Sequence, residues 1–228
     1  MYPQVVKISL SPAQCRTSAL TETLDKQETE RAQRFRFDHL RKRFVAAHAA
    51  LRQILAAHLH CDPKRVEYEP GAFGKPRVAS ANGSCLCFNM SHSKDLALVA
   101  IAFGRDVGID VESVDREFDH CALARQLFSA AEIERLEGEP PASRPELFFA
   151  LWTAKEAYLK ARGTGLAMSL DAFEIAESKH RHSWRDVIER NGQSPRWFVR
   201  ELSPQPGFIA SIALEERYAR LDLREWVW

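Results

Sequence analysis

Residues 96–112 read LALVAIAFGRDVGIDVE. Leu96 to Phe103 is an unbroken apolar run, Gly104-Arg105-Asp106 is turn chemistry, and Val107 to Val111 is a second short apolar segment. The pattern predicts two strands joined as a hairpin across Gly104. Neither strand approaches the ~20 apolar residues that span a bilayer. Residues 210–225 read ASIALEERYARLDLRE; set beside VAIAFGRDVGIDVE, they suggest a second pair of strands at Phe208 to Leu214 and Tyr218 to Trp226. The expected architecture is α+β with two similar α/β halves, residues 1–105 and 106–228, each finishing in paired strands.

Outward from these strands, residues 28–59 carry Phe35, Phe37, Leu40, Phe44, Ala47, Leu51, Ile54 and Leu55 at three- and four-residue steps, which predicts a long helix or helix pair ending at Asp62-Pro63. Val66 to Tyr68 and Cys85 to Asn89 read as short strands. Helices are expected at about 118–137 and 145–162, with Pro140-Pro141 between them and Gly163 ending the second. Net charge is +1 over 228 residues, but residues 1–105 hold 16 Lys and Arg against 9 Asp and Glu, and residues 106–228 hold 16 against 22. A basic half facing an acidic half suits a polyphosphate with its divalent cation, since phosphates need cationic donors and the cation needs carboxylates. Uneven surface charge is the plainer alternative. The cysteines, Cys15, Cys61, Cys85, Cys87 and Cys121, are odd in number and form no C-x-x-C pair, so neither a disulfide framework nor a zinc site is indicated. With no basic n-region and apolar h-region at the N-terminus, the expected setting is cytoplasmic.

Several segments carry chemistry. In VGIDVE the two-residue strand period puts Asp110 and Glu112 on one face, a geometry that suits a hard cation, and Gly108 permits close approach of a ligand or another backbone. In LFFALWTAKEAYLKARG, residues 147–163, Phe148, Leu151, Trp152, Tyr158 and Leu159 share one helical side, Lys155 falls within that apolar sector, and Glu156 and Lys160 flank it as surface neighbours. An ordinary helical ion pair with Lys155 reaching to solvent is the bland alternative. Asn89-Met90-Ser91-His92-Ser93 offers a histidine flanked by hydroxyls that can donate to phosphate. Gly74-Lys75-Pro76 supplies a turn lysine without the Walker A form, and no G-x-S-x-G elbow supports a serine hydrolase.

Taken in order, GKP, N-x-S-H-S, G-I-D-x-E and W-x-x-K-E-x-x-x-K followed by G-x-G-L, this set resembles the Sfp-type 4′-phosphopantetheinyl transferases. The resemblance covers roughly residues 28–175, taking in the basic segment Arg34 to Arg43, ALARQLFSAAEIERL and the SLDAF strand. It implies a pseudo-dimeric α+β monomer with coenzyme A in the cleft between halves. It also implies transfer of the 4′-phosphopantetheine arm to a serine of an apo acyl or peptidyl carrier protein, releasing 3′,5′-ADP. That reaction is phosphoryl transfer, which depends on in-line positioning, charge neutralisation and the management of one proton.

Carried over by position, the resemblance implies that Asp110, Glu112 and Glu156 hold Mg²⁺. Glu156 would be the general base, with Glu112 or a bound water as alternatives. Lys160 would stabilise or protonate the departing phosphate, and Lys155 would contact the phosphopantetheine. His92, with Ser91, Arg43 and Arg31, would bind the 3′-phosphate, and Lys75 and Pro76 would border the adenine. Carrier docking is expected on Phe118 to Leu136 and on basic residues of the first half, with no nucleic-acid or membrane partner. Two competing readings use the same residues: Mg²⁺-dependent hydrolysis of a nucleotide diphosphate, for which the Nudix helix is missing, and a non-catalytic binding module.

Overall fold

The computed structural model describes residues 2–11, 17–79, 85–115, 118–178, 180–190 and 197–228. Cys15 lies outside the described residues, and Cys61, Cys85, Cys87 and Cys121 are free thiols. The first half runs β1 (Gln4–Ser9), α1 (Thr17–Thr21), α2 (Lys26–Gln33), α3 (Asp38–Leu59), β2 (Tyr68–Pro70), β3 (Pro76–Val78), β4 (Leu86–Ser93) and β5 (Leu96–Phe103). The second runs β6 (Val107–Ser113), α4 (His120–Leu127), α5 (Ala130–Gly138), α6 (Arg144–Arg162), β7 (Phe173–Ile175), β8 (Trp184–Glu189), β9 (Phe198–Leu202) and β10 (Phe208–Leu214), and β11 (Asp222–Glu225) follows.

The strands form two main sheets, ordered β11-β1-β5-β4 and β6-β10-β9-β8-β7, beside a small β2-β3 ribbon. The two halves share one plan. In each, the first strand pairs antiparallel with the last, β1 with β5 and β6 with β10, and the strand before the last, β4 or β9, lies on its other side. Each sheet carries a long helix on one face. Val6, Ile8, Val99 and Ile101 pack under α3, while Ile209, Ala213 and Val199 pack under α6. The opposite faces meet in a shared core of Val5, Leu98, Ala100, Ile109, Val111 and Ile212, among others.

Two sequence expectations change here. The hairpin across Gly104 does not form, because both edges of β5 are taken by β1 and β4 and β6 enters the other sheet. The odd-numbered residues of β6 instead pack face to face against β5. Likewise β11 leaves β10 and pairs parallel with β1. The internal echo is real in topology but out of register by one residue: it aligns Ile101, which faces α3, with Ile212, which faces the shared core. In a strand, a slip of one exchanges faces.

The helices follow local signals. Asp25 and Glu28 form a capping box at α2, and extended backbone at Phe37 (φ −105°, ψ 129°) separates α2 from α3. The single helix expected at 118–137 is two, because the Ser129 and Glu132 capping box starts α5 afresh after extended Phe128. Gly163 ends α6 with φ 67°. Within SLDAF, residues Leu170–Ala172 make one 3₁₀ turn and the strand starts at Phe173. Among the described residues, no helix is long and apolar enough to cross a membrane.

Candidate active site

The site is organised by one glycine. A Cβ on Gly108 would stand 2.0 Å from the Ala157 carbonyl oxygen and 2.4 Å from the Ala161 nitrogen, so the backbone of α6 rests directly on β6. Asp110 and Glu112 follow on the same strand face and so come alongside Glu156 and Lys160 of α6. Asp110 is 4% exposed. Its Oδ1 accepts from Lys160 Nζ at 2.5 Å and from Ser91 Oγ at 2.8 Å, whereas its Oδ2 is buried without a hydrogen-bond partner. Glu112 Oε2 accepts from Ser93 Oγ at 3.0 Å, and Lys160 Nζ also reaches Ser91 Oγ at 3.1 Å. Burial, and then the negative charge of Asp110, push the Glu156 carboxyl above its ordinary range. Lys160 opposes the shift and Glu112 adds to it.

Strand β4 supplies the other wall, and its alternation divides the labour. On one face Asn89 Oδ1 accepts the Ile109 N–H at 2.8 Å, Ser91 holds Asp110, and Ser93 Oγ both holds Glu112 and accepts the Ser113 N–H at 3.2 Å. These residues zip the edges of the two sheets together through side chains. The opposite face carries Phe88 and Met90 toward α3, and His92 with them. Packing around the ring, and then the positive charges of His48, Lys160, Arg31 and Arg43, hold His92 below the ordinary imidazole pKa. A gathering of cations around one imidazole is an anion site in waiting. Arg43 Nε is held by Asp95 Oδ1 at 2.7 Å, and Arg31 lies over the Phe44 ring. Helix α2 is pinned in place by Arg52, fully buried, whose Nε donates to Glu28 at 2.5 Å and whose Nη1 donates to the Pro63 and Val66 carbonyls. Glu28 also meets His48 Nδ1 at 2.9 Å.

The structure thus brings Asp110, Glu112, Glu156, Lys160 and Ser91 into one cluster and gathers His92 with Arg31 and Arg43. Three of the expected residues stand apart from these two groupings or divide between them. Ser91 faces the carboxylates, on the opposite strand face from His92, and its hydroxyl donates to Asp110. Lys75 has no donor to spare: its ammonium donates to Asp106 Oδ1 (3.0 Å), the Val107 carbonyl (3.1 Å) and the Ala161 carbonyl (2.8 Å), stapling the ribbon to β6 and α6. Pro76 and the Lys75 stem line a cavity of about 340 Å³ with Phe88 and Gly104. Lys155 neither contacts the cleft nor reaches solvent: it is 0% exposed and pairs with Glu132 at 2.7 Å. The residues bordering these groups that sequence reasoning missed are Asn89 and Ser93, although their two-residue alternation around Ser91 was a signal, and His48, whose partner Glu28 is remote in the chain.

Whether the acidic set fits a cation is answered by Asp110 Oδ2. A buried carboxylate oxygen with no donor, beside two further carboxylates that repel it, suits Mg²⁺, which takes one or two carboxylates and fills its shell with water and phosphate oxygens. Among the described residues no three acidic, His or Cys side chains stand close enough together to hold a metal ion as they are placed.

Comparison with known proteins identifies the family. Residues 106–213 match the 4′-phosphopantetheinyl transferase superfamily, and residues 9–103 match a 4′-phosphopantetheinyl transferase N-terminal region. The chain is 35% identical over 209 residues to the 4′-phosphopantetheinyl transferase HetI of Nostoc sp., covering 91% of this chain and 85% of that one. It is 30% identical over 229 residues to a phosphopantetheinyl transferase of Thraustochytrium sp., covering 93% and 77%. A solved holo-[acyl-carrier-protein] synthase of Thermotoga maritima superposes with a TM-score of 0.40 at 26% identity, over 49% of this chain and 64% of its own.

Proposed function

Because the chain belongs to the 4′-phosphopantetheinyl transferase superfamily, we propose that it moves the 4′-phosphopantetheine arm of coenzyme A onto a serine hydroxyl of an apo acyl or peptidyl carrier protein, using the carboxylate and lysine cluster at the junction of β4, β6 and α6. The observation that carries this reading is the meeting of two charge environments at one seam: Asp110, Glu112 and Glu156 on one side, and the cations around His92 on the other, with Lys160 belonging to both.

In this reading the cations around His92 receive the 3′-phosphate and hold coenzyme A with its diphosphate toward Lys160. Asp110, Glu112 and Glu156 would hold Mg²⁺, which when bound neutralises charge on that diphosphate. The carrier serine oxygen forms a bond to the phosphorus bearing the pantetheine, the phosphorus–oxygen bond to 3′,5′-ADP breaks, and the serine proton passes to Glu156. Lys160 donates to the departing phosphate. Residues 1–105 act as the phosphate side and residues 106–228 as the acidic side, within one monomer, since both walls of the seam come from the same chain. The carrier docks on Phe118 to Leu136, where Phe118 is 37% exposed, and its acidic surface is drawn to exposed Arg34, Arg36, Arg41 and Lys42.

The test is intact mass. Incubation with coenzyme A, Mg²⁺ and an apo carrier should add roughly 340 Da to the carrier, the phosphopantetheinyl increment of phosphoryl transfer. Asp110→Ala should abolish the gain while keeping the fold. Release of 3′,5′-ADP without a heavier carrier would mean hydrolysis and would sink the reading, and wild-type rates in Asp110→Ala would remove its role.

A further inference from the structure

Among the described residues, the most deeply buried charge pair lies immediately behind the proposed catalytic helix. Lys155 precedes Glu156 in α6 and, about 100° around the helix from it, turns into the core. Its ammonium pairs with Glu132 Oε2 at 2.7 Å and donates to the Leu170 carbonyl at 2.8 Å and the Phe173 carbonyl at 2.6 Å, so each of its three protons has an acceptor. It lies over the Phe173 ring, 4.4 Å from the centroid. Glu132, 3% exposed, is equally committed: it caps α5 by accepting the Ser129 N–H at 3.1 Å and accepts the Ile175 N–H at 3.0 Å. Two side chains therefore fasten α6, the start of α5, the 3₁₀ turn at 170–172 and β7 to one another.

A stability role alone does not require this chemistry. Apolar residues of similar volume hold such a junction as well as a buried ion pair does. What the pair adds is direction, because its bonds fix the rotation of α6 about its axis and its distance from α5. One residue later, about 100° around α6, that rotation decides where Glu156 stands against Asp110. We propose that Lys155, through Glu132, is a positioning residue for transfer that holds Glu156 and the α4–α5 docking segment at a set spacing. The proposal rests on the transferase reading and deepens it.

The experiment compares Lys155→Met, which keeps the length and removes the charge, with Lys155→Met/Glu132→Gln, which leaves no buried carboxylate unpaired. Melting temperature and the separate kcat and KM values for coenzyme A and carrier are measured below the melting range. The single variant should be destabilised and lose about tenfold or more in kcat, with KM for coenzyme A within about twofold of wild type, the pattern of an interaction made only in the transition state. The double variant should regain most of the melting temperature but not the kcat. Recovery of kcat together with stability in the double variant, or wild-type kcat in a folded single variant, would overturn the proposal. If the single variant does not fold, the double variant decides alone. Failure of the wild type to add mass to any carrier would instead be a failure of the transferase reading.

Discussion

His92 shows how much one side chain's chemistry depends on neighbours that are distant in sequence. Its ring stands among His48, Lys160, Arg31 and Arg43, and together with packing they hold its pKa below the ordinary 6.5. A phosphate placed there meets a positive field and favours the protonated ring. His92→Ala should therefore weaken coenzyme A by roughly 10- to 100-fold, the range of a hydrogen bond to a charged group, and should affect dephospho-coenzyme A by no more than about twofold. The sign with pH follows: the free ring is neutral at neutral pH, so the His92 contribution to affinity should grow as pH falls through its depressed pKa. The difference between wild type and variant should widen in that direction. Calorimetry with both ligands across about pH 5 to 8 checks this, and equal losses for the two ligands would remove His92 from the 3′-phosphate. The imidazole was legible in the sequence because it sits beside hydroxyls at a strand end. Lys155 was legible only in part. Helical spacing put it on the apolar sector, but a lysine there either reaches solvent or meets a buried carboxylate, and Glu132 lies on another helix where no spacing rule points to it.

At the scale of elements, the site depends on how closely a helix can lie on a strand. Any side chain on Gly108 would drive backbone into backbone, with 2.0 Å left to the Ala157 carbonyl, and no flexible group is available to yield. Gly108→Ala should cost at least the ~1–3 kcal/mol of an overpacked core and should lower transfer further by lifting α6, so that Glu156 leaves Asp110. Gly138→Ala is the control, since nothing lies within 4 Å of the added carbon. Urea denaturation and the mass assay on both variants check the prediction, and unchanged transfer in Gly108→Ala would show that the approach of α6 does not set the site. The periodicities of 3.6 and 2 reported element type well here: α6 and β5 stand where the apolar pattern put them. Pairing was not reported, because turn chemistry at Gly104 is the same whether a chain folds back onto its own sheet or passes to another. Competition for the edges of β5 decided that, and an edge is a property of the assembled sheet. The missed strand β1 has the same cause. Its short run of QVVKIS becomes a strand by pairing with β5 on one side and β11 on the other.

The whole molecule is two copies of one plan fastened by exchanged ends. Strand β6 begins the second half by zipping against β4 of the first, and β11 ends it by pairing with β1. The tail continues the attachment: the Trp226 N–H donates to the Lys7 carbonyl at 2.7 Å, Trp228 Nε1 donates to the Ser9 carbonyl at 3.0 Å, and both indoles pack on the first-half core. The proposed reactive seam, however, lies at the β4–β6 junction, whereas the tail is held by β1. Stability and activity should therefore separate. Removing residues 222–228 takes away one strand and two partly buried tryptophans, worth about 3 kcal/mol at ~1.5–3 kcal/mol for each large side chain if fully buried. The urea midpoint should fall accordingly. At a temperature where the shortened protein is still folded, KM for coenzyme A and the rate of carrier mass gain should stay close to those of the full chain. An unchanged midpoint would mean that β11 does not lock the halves. A lost rate in folded protein would mean that the β1 end of the shared core, and not only the β4–β6 zipper, holds the two sheets at the spacing that brings Asp110 to Lys160.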